Sequence, residues 1–183
     1  MRYASIRSLD ISNGEGVGIS LFVQGCPFHC KNCFNPETWD FNSGKKWTDE
    51  TKAEFLKLAS RPYIHRISIL GGEPLAEANL DGIKDLVYEI RVLSPVKKTW
   101  VYSGYNWEHI FDPKWHYHPL TQEKLSIGRY KREQILSMCD VMVDGLYEDA
   151  NRNIQLAFKG SSNQRVIDVK KSIKTGKIVL WGR

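Results

Sequence analysis

The feature that most limits the fold of this 183-residue chain is the alternation of short apolar runs with helical segments between residues 19 and 144. Ile19 to Val23 is a strand-length run ending at Gly25, and Ile64 to Leu70 stops at Gly71-Gly72-Glu73-Pro74. Thr99 to Tyr102 ends at Ser103-Gly104, and Val141 to Asp144 ends at Gly145. Between these runs, Leu80, Ile83, Leu86, Val87 and Ile90 recur at helical spacing and Pro95 closes the segment. Tyr130 to Met138 reads as another helix and Tyr105 to Phe111 as a short one. Strand, loop and helix in this order predict a parallel sheet with crossover helices, in which ligands bind at the carboxyl ends of the strands. A complete eight-unit barrel takes about 250 residues. The expected fold class is therefore α/β, a partial and open parallel β/α barrel, in which the loops at Gly25, Gly71, Ser103 and Asp144 converge on one site.

Outside that block, Tyr3 to Ile11 reads as a strand, and Thr48 to Ser60 as an amphipathic helix with Ala53, Leu56 and Ala59 on one face. Asp49 and Glu50 sit near the positive end of its dipole. Asn13 to Gly18 is glycine-rich, but its spacing is not the dinucleotide fingerprint, so it reads as a flexible turn. Residues 112–128 read as an irregular insertion, and Arg165 to Val169 and Lys177 to Trp181 as late strands. No internal repeat is found, and the length fits one compact domain over residues 1–183. No apolar run exceeds a strand's length, so no transmembrane helix is expected. The amino terminus has no apolar signal core, which favours the cytoplasm. The formal charge of +5 is too mild to demand nucleic acid.

Of the four cysteines, Cys26, Cys30 and Cys33 lie within eight residues and Cys139 stands apart. A secreted disulfide framework usually spreads its cysteines, so this clustering points to metal ligation. A structural zinc site is closed by four protein ligands, and neither His29 nor Cys139 is an obvious fourth. A four-iron cluster usually takes four cysteines as well, so three would leave one iron open, as in catalytic metal centres.

Cys26-x-x-x-Cys30-x-x-Cys33, with Phe34 behind it, resembles the cluster motif of the radical S-adenosylmethionine superfamily. Gly71-Gly72-Glu73-Pro74 is similar to that superfamily's GGE segment. A narrower resemblance, to the family of anaerobic ribonucleoside-triphosphate reductase-activating proteins, is carried by ordered blocks through about residues 3 to 168. These are Asp10 to Gly16, Leu21 to Cys26, Cys33 to Trp39, Trp100 to Tyr105, Asp140 to Gly145 and Gly160 to Arg165. Against that family, the insertion at 112–128 and a C-terminal extension at 170–183 are departures, and both bear on partner docking.

The resemblance implies a [4Fe-4S] cluster on Cys26, Cys30 and Cys33, with its open iron chelating S-adenosyl-L-methionine. It implies cofactor contacts from Asn32, Cys33, Phe34, Gly71, Gly72, Glu73, Ser103 and Gly104, with Glu73 receiving the methionyl ammonium. Further substrate or cofactor contacts are expected from Asn13, Gly14, Tyr105, Asp144, Asn163 and Gln164. No side-chain acid or base is required beyond cluster and cofactor. The implied partners are the large subunit of the anaerobic reductase, on which a glycyl radical is made, and a one-electron donor of the flavodoxin or ferredoxin type. Neither nucleic acid nor membrane is expected. Two other readings keep their place. One is radical chemistry on another glycyl-radical enzyme or on a small molecule, such as deazapurine synthesis; the other is a non-catalytic, zinc-stabilised RNA-binding module. His116 and His118 flank Tyr117 at a spacing that binds metal, yet read as two solvated histidines of an exposed insertion. Trp39 and Trp47 read as packing residues, and Cys139 as a buried, inert thiol.

Overall fold

The computed structural model describes residues 1–121, 124–125 and 128–182. Residues 122, 123, 126 and 127 of the expected insertion, and Arg183 of the expected extension, lie outside the described residues. The strands are β1 (Arg2–Asp10), β2 (Gly18–Val23), β3 (Lys45–Lys46), β4 (Arg66–Gly71), β5 (Lys98–Ser103), β6 (Val141–Asp144) and β7 (Arg165–Asp168). The helices are α1 (Asp49–Ala59), α2 (Leu80–Leu93), α3 (Trp107–Phe111), α4 (Arg129–Met138) and α5 (Val169–Thr175).

All seven strands form one sheet in the order β3-β1-β2-β4-β5-β6-β7. Its centre is parallel, with β2 on β4, β4 on β5 and β5 on β6. Its flanks are antiparallel: β1 on β2, β3 on β1, and β7 on β6. The sheet does not close on itself, as the expectation of an open α/β structure required.

Alternation along the strands divides the interior in two. Ile19, Leu21, Val23, Ile67, Ile69, Val101, Met142 and Ile167 face the helices and join one core with Phe55, Ile83, Val87 and Ile135. Their neighbours in sequence face the other way. There Trp100, Val141 and Val143 pack with Tyr102, Phe158, Val166 and Trp181. The first face is sealed by helices, whereas the second carries the functional cavity.

Helix α2 buries Leu80, Ile83, Leu86, Val87 and Ile90, the five positions that its period marks. Helix α1 is capped as expected: the Thr51 N–H donates to Thr48 Oγ1 at 3.3 Å. Its buried stripe differs from the expected one, because Phe55 and Ala59 turn inward and Ala53 is exposed. The larger Phe55 buries more apolar surface than Ala53 and sets the helix's rotation.

The carboxyl-terminal expectation is corrected. The strand β7 ends at Asp168, whose carboxylate accepts the Lys171 N–H at 2.9 Å and starts α5. Gly176 at φ 67° ends that helix, and the expected strand over Lys177 to Trp181 reduces to one bridge, between Leu180 and Ile167. Trp181 instead crosses the second sheet face. It lies 5.7 Å from Trp100, and its indole N–H donates to Glu15 Oε2 at 3.2 Å.

Candidate iron–sulfur and cofactor site

The cysteine loop begins where β2 ends. Gln24, buried at the strand terminus, donates its amide to the carbonyls of Glu37 at 3.0 Å and Asp40 at 2.9 Å. The Gly25 and Cys26 N–H groups donate to Thr38 and Trp39 carbonyls at 2.8 and 3.0 Å. Both ends of the loop are thereby clamped together. Within it, His29 and Asn32 adopt positive φ values of 49° and 55°, a conformation that non-glycine residues seldom hold. His29 stacks on Trp39 at 4.7 Å. Asn32 does not face inward: its amide donates to Asp149 Oδ2 at 2.7 Å.

The segment after β4 lies directly on the end of β2. The Gly72 and Glu73 N–H groups donate to Val23 and Gly25 carbonyls at 2.9 and 2.8 Å. Gly71 has φ 102°, and a Cβ on Gly72 would stand 2.5 Å from the Gly25 carbonyl oxygen. Both positions therefore need glycine. Gly72→Ala forces backbone from backbone and is expected to lower stability by about 1–3 kcal/mol, read by denaturant unfolding of the cluster-free protein.

Glu73 is buried and holds two strand ends together. Its Oε1 accepts the Leu75 N–H and the Ser103 hydroxyl, both at 2.8 Å, and its Oε2 accepts the Gly104 N–H at 2.7 Å. Burial nonetheless pushes its pKa up to about 7, against those three donors and the Arg132 charge. A carboxyl raised in the folded state binds protons that the unfolded chain has already released. Stability of the cluster-free protein is thus expected to fall by about 3 kcal/mol between roughly pH 4.5 and pH 7. Denaturant titrations across that window should show this slope, and Glu73→Gln should remove it.

Asp144, at the end of β6, is also buried, but it serves the scaffold. It pairs with Arg165, which grips Glu108 at 2.8 and 3.0 Å, and it accepts the Trp107 N–H at 2.8 Å. The loop that follows is organised by Gln164, which accepts the Gly160 N–H at 2.9 Å and donates to the Gly145 carbonyl at 2.9 Å. Asn163 supports it by donating to the Leu146 carbonyl at 2.8 Å.

Together these loops surround a cavity of about 480 Å³ on the second face of the sheet. Of the residues expected at the site, Cys26, Cys30, Cys33, Phe34, Gly71, Gly72, Glu73, Ser103, Gly104, Asn13 and Gln164 line it. Asn32, Gly14, Tyr105, Asp144 and Asn163 do not. Gly14 lies against Arg66 and Trp100, and Tyr105 is fully buried, with its ring 5.0 Å from Phe28. Asn13 borders the cavity with its side-chain nitrogen and backbone carbonyl engaged: the amide donates to Asp10 Oδ2 at 2.7 Å, and the carbonyl accepts Arg66 and Ser68, both at 2.5 Å.

Sequence reasoning missed Gln24, Arg7, Tyr147 and Phe158. Gln24 is a polar residue closing an apolar strand, and that break in polarity is the signal that marks it. Tyr147 and Phe158 belong to a stretch without periodicity, and long-range packing alone brings them to the cavity. His118 corrects another expectation. It is buried, 4.9 Å from Phe28 and from His109, and accepts the Leu120 and Thr121 N–H groups at 3.3 Å; His116 is exposed. Burial pushes the His118 pKa down to about 4, so the ring is neutral.

The donor set fits an iron–sulfur cluster. Burial pushes the Cys26 thiol up to about 12 with the Glu73 charge adding to it, and burial with the Cys33 charge raises Cys30. Thiolates there need compensating cations, which iron supplies. N–H groups of Phe28 and His29 toward Cys26, of Tyr147 toward Cys30, and of Asn35 toward Cys33 at 3.4 Å add partial compensation. Among the described residues, no three His, Cys, Asp or Glu side chains form a site for a single metal ion. In a cluster each thiolate binds its own iron, so three sulfurs arrayed around one cavity suit it. Cys139 is buried elsewhere, with its Sγ–H directed to the Ile135 carbonyl at 3.2 Å.

A family model described as a 4Fe-4S single cluster domain matches residues 12–167. The chain is 34% identical over 168 residues to the anaerobic ribonucleoside-triphosphate reductase-activating protein of Salmonella typhimurium, covering 91% of this chain and 97% of that one. The proteins of the same name from Enterobacteria phage T4 and Escherichia coli are 32% and 33% identical; each match covers 91% of this chain, and 93% and 97% of the relative. A single-cluster 4Fe-4S match and full-length relatives of one name agree with the cysteine geometry, and the chain belongs to the family of anaerobic ribonucleoside-triphosphate reductase-activating proteins.

Proposed function

We propose that this protein is a radical S-adenosylmethionine enzyme that installs a glycyl radical on the large subunit of an anaerobic ribonucleoside-triphosphate reductase. The observation that carries this reading is the meeting of Cys26, Cys30 and Cys33 with Gly71 to Glu73 and Ser103-Gly104 on one cavity of about 480 Å³, within the size range of small-molecule sites. When bound, the [4Fe-4S] cluster and S-adenosylmethionine supply the electron transfer and the 5′-deoxyadenosyl radical that removes a hydrogen atom from the partner's glycine.

The chain's own residues bind, orient and shield. Cys26, Cys30 and Cys33 would hold three irons and leave the fourth for the cofactor's amino and carboxylate groups. Glu73 would accept the cofactor's ammonium, and a nearby cation favours its ionised form. Its bonds to Ser103 and Gly104 fix the β4 and β5 loops before any ligand arrives, so little reorganisation accompanies binding. Phe22, Leu70 and Phe158 give the cavity apolar walls that exclude water and stray hydrogen donors. Asn32, tied to Asp149, holds the loop rather than the ligand.

The open sheet is read as a partial barrel of the radical S-adenosylmethionine type in one domain, whose open side admits a polypeptide. The segment 112–128 and the tail 170–183 are read as an insertion and an extension to it. No described helix is long and apolar enough to cross a membrane. The reading places the protein in the cytoplasm, where a flavodoxin- or ferredoxin-type donor would supply the electron. Anaerobic iron and sulfide analysis with an assay for 5′-deoxyadenosine tests the chemistry. Four irons per chain and reductant-dependent product are expected; a colourless zinc protein would overturn the reading.

A further inference from the structure

The two edges of the sheet are unlike. Beside β7, the carboxyl-terminal tail lies along the edge, with Leu180 bridging Ile167 and the Trp181 N–H donating to the Val166 carbonyl at 2.8 Å. On the other side, the partner of β1 is the two-residue β3, which pairs only with Arg2 and Tyr3. Among the described residues, no strand pairs with the outer edge of β1 from Ala4 to Leu9. Unpaired N–H and C=O groups along such an edge are a template for another strand.

Three features give this edge a direction and a chemistry. It runs beside the cavity, because Arg7 lines the cavity and lies 4.6 Å over the Phe22 ring. It is apolar where it leaves the sheet, with Leu9 62% and Ile11 73% exposed. It is also basic: β1 and β3 carry Arg2, Arg7, Lys45 and Lys46, against one acid, Asp10, which is buried and shared between Arg66 at 3.0 Å and Arg7 at 3.6 Å. Register shifts between Tyr3 and Ser5 and between Arg7 and Asp10 limit indiscriminate pairing at both ends.

We propose that the Ala4–Leu9 edge of β1 docks an extended, acidic segment of the reductase, which adds as a strand and leads its glycine past Arg7 into the cavity. The inference rests on the activase reading and specifies how the partner is held. Main-chain pairing supplies the affinity, the basic rim supplies steering that weakens with salt, and the exposed Leu9 and Ile11 supply apolar contact.

Hydrogen–deuterium exchange of the cluster-loaded protein, with and without its reductase, tests this directly. Protection of the Ala4–Leu9 amides in the complex is expected. Ser8 is not among the β1 residues paired with β2, so Ser8→Pro takes an N–H from the proposed docking strand and is expected to weaken reductase binding by at least about tenfold, while reductant-driven cleavage of S-adenosylmethionine without the reductase stays unchanged. A complex without protection at residues 4–9 overturns the proposal, as does a folded, iron-replete Ser8→Pro protein that binds normally. If Ser8→Pro instead breaks a homodimer and leaves reductase affinity intact, the edge serves a second copy of this chain and the proposal falls. Absence of any complex with wild-type protein overturns the activase reading itself. Should Ser8→Pro not fold, the exchange pattern of the wild type decides.

Discussion

Alanine at Cys26, Cys30 or Cys33 is expected to remove the iron–sulfur cluster and, with it, all reductive cleavage of S-adenosylmethionine. Each sulfur stands in a partly buried loop whose ends are clamped by Gln24 and the Gly25 and Cys26 amides. The loop therefore cannot re-form around two ligands with water as the third. Iron content should fall to near zero in each single variant, together with the visible absorbance of the cluster. Cys139→Ala is the control. That side chain is fully buried in the helix-covered core and does not border the cavity, so its loss should leave the iron content at the wild-type level.

Asp10→Ala is expected to have the largest effect on stability. Arg66 is completely buried, and its guanidinium donates to the Asp10 carbonyl at 2.8 Å, to Asp10 Oδ1 at 3.0 Å and to the Asn13 carbonyl. The Asp10 carboxylate also accepts the Ser12 and Asn13 N–H groups at 3.0 and 2.9 Å, and these donors hold its pKa below the usual range although burial opposes them. Removing the carboxylate leaves a buried cation with carbonyl acceptors but no counter-charge, which costs about 3–5 kcal/mol, a large share of a typical domain's stability of about 5–15 kcal/mol. Denaturant unfolding of the cluster-free protein should show that loss. The double variant Asp10→Ala, Arg66→Met should recover much of it, because neither charge then needs a partner.

The layout of the site was legible where chemistry is local. Strand ends at Gly25, Gly71, Ser103 and Asp144 follow from apolar runs stopped by turn residues, and the pairing registers bring all four ends to one cavity, which Cys26, Gly71, Ser103 and Gly145 line. The cysteine trio was legible for the same reason, since its ligands are neighbours in sequence. What the sequence concealed depends on contacts across long separations. Asp144 is expected among the substrate or cofactor contacts, and Arg165, 21 residues away, takes its carboxylate. His118 looked solvated because its segment is polar, yet Phe28 and Tyr105 cover it. The tail over Lys177 to Trp181 has strand composition, but α5 returns it beside β7 for one bridge only. The two-residue β3 is too short to leave a periodic signal at all.

The central claim is that this protein makes a radical on another polypeptide, and electron paramagnetic resonance of the partner is the most direct test. The protein, reconstituted anaerobically with iron and sulfide, is incubated with S-adenosylmethionine, a one-electron reductant and the anaerobic ribonucleoside-triphosphate reductase. The account predicts a glycyl-radical signal on the reductase that requires all three additions and disappears with Cys30→Ala. A reductase that stays silent while the same mixture releases 5′-deoxyadenosine would contradict it, because the cofactor would then be cleaved for a different substrate.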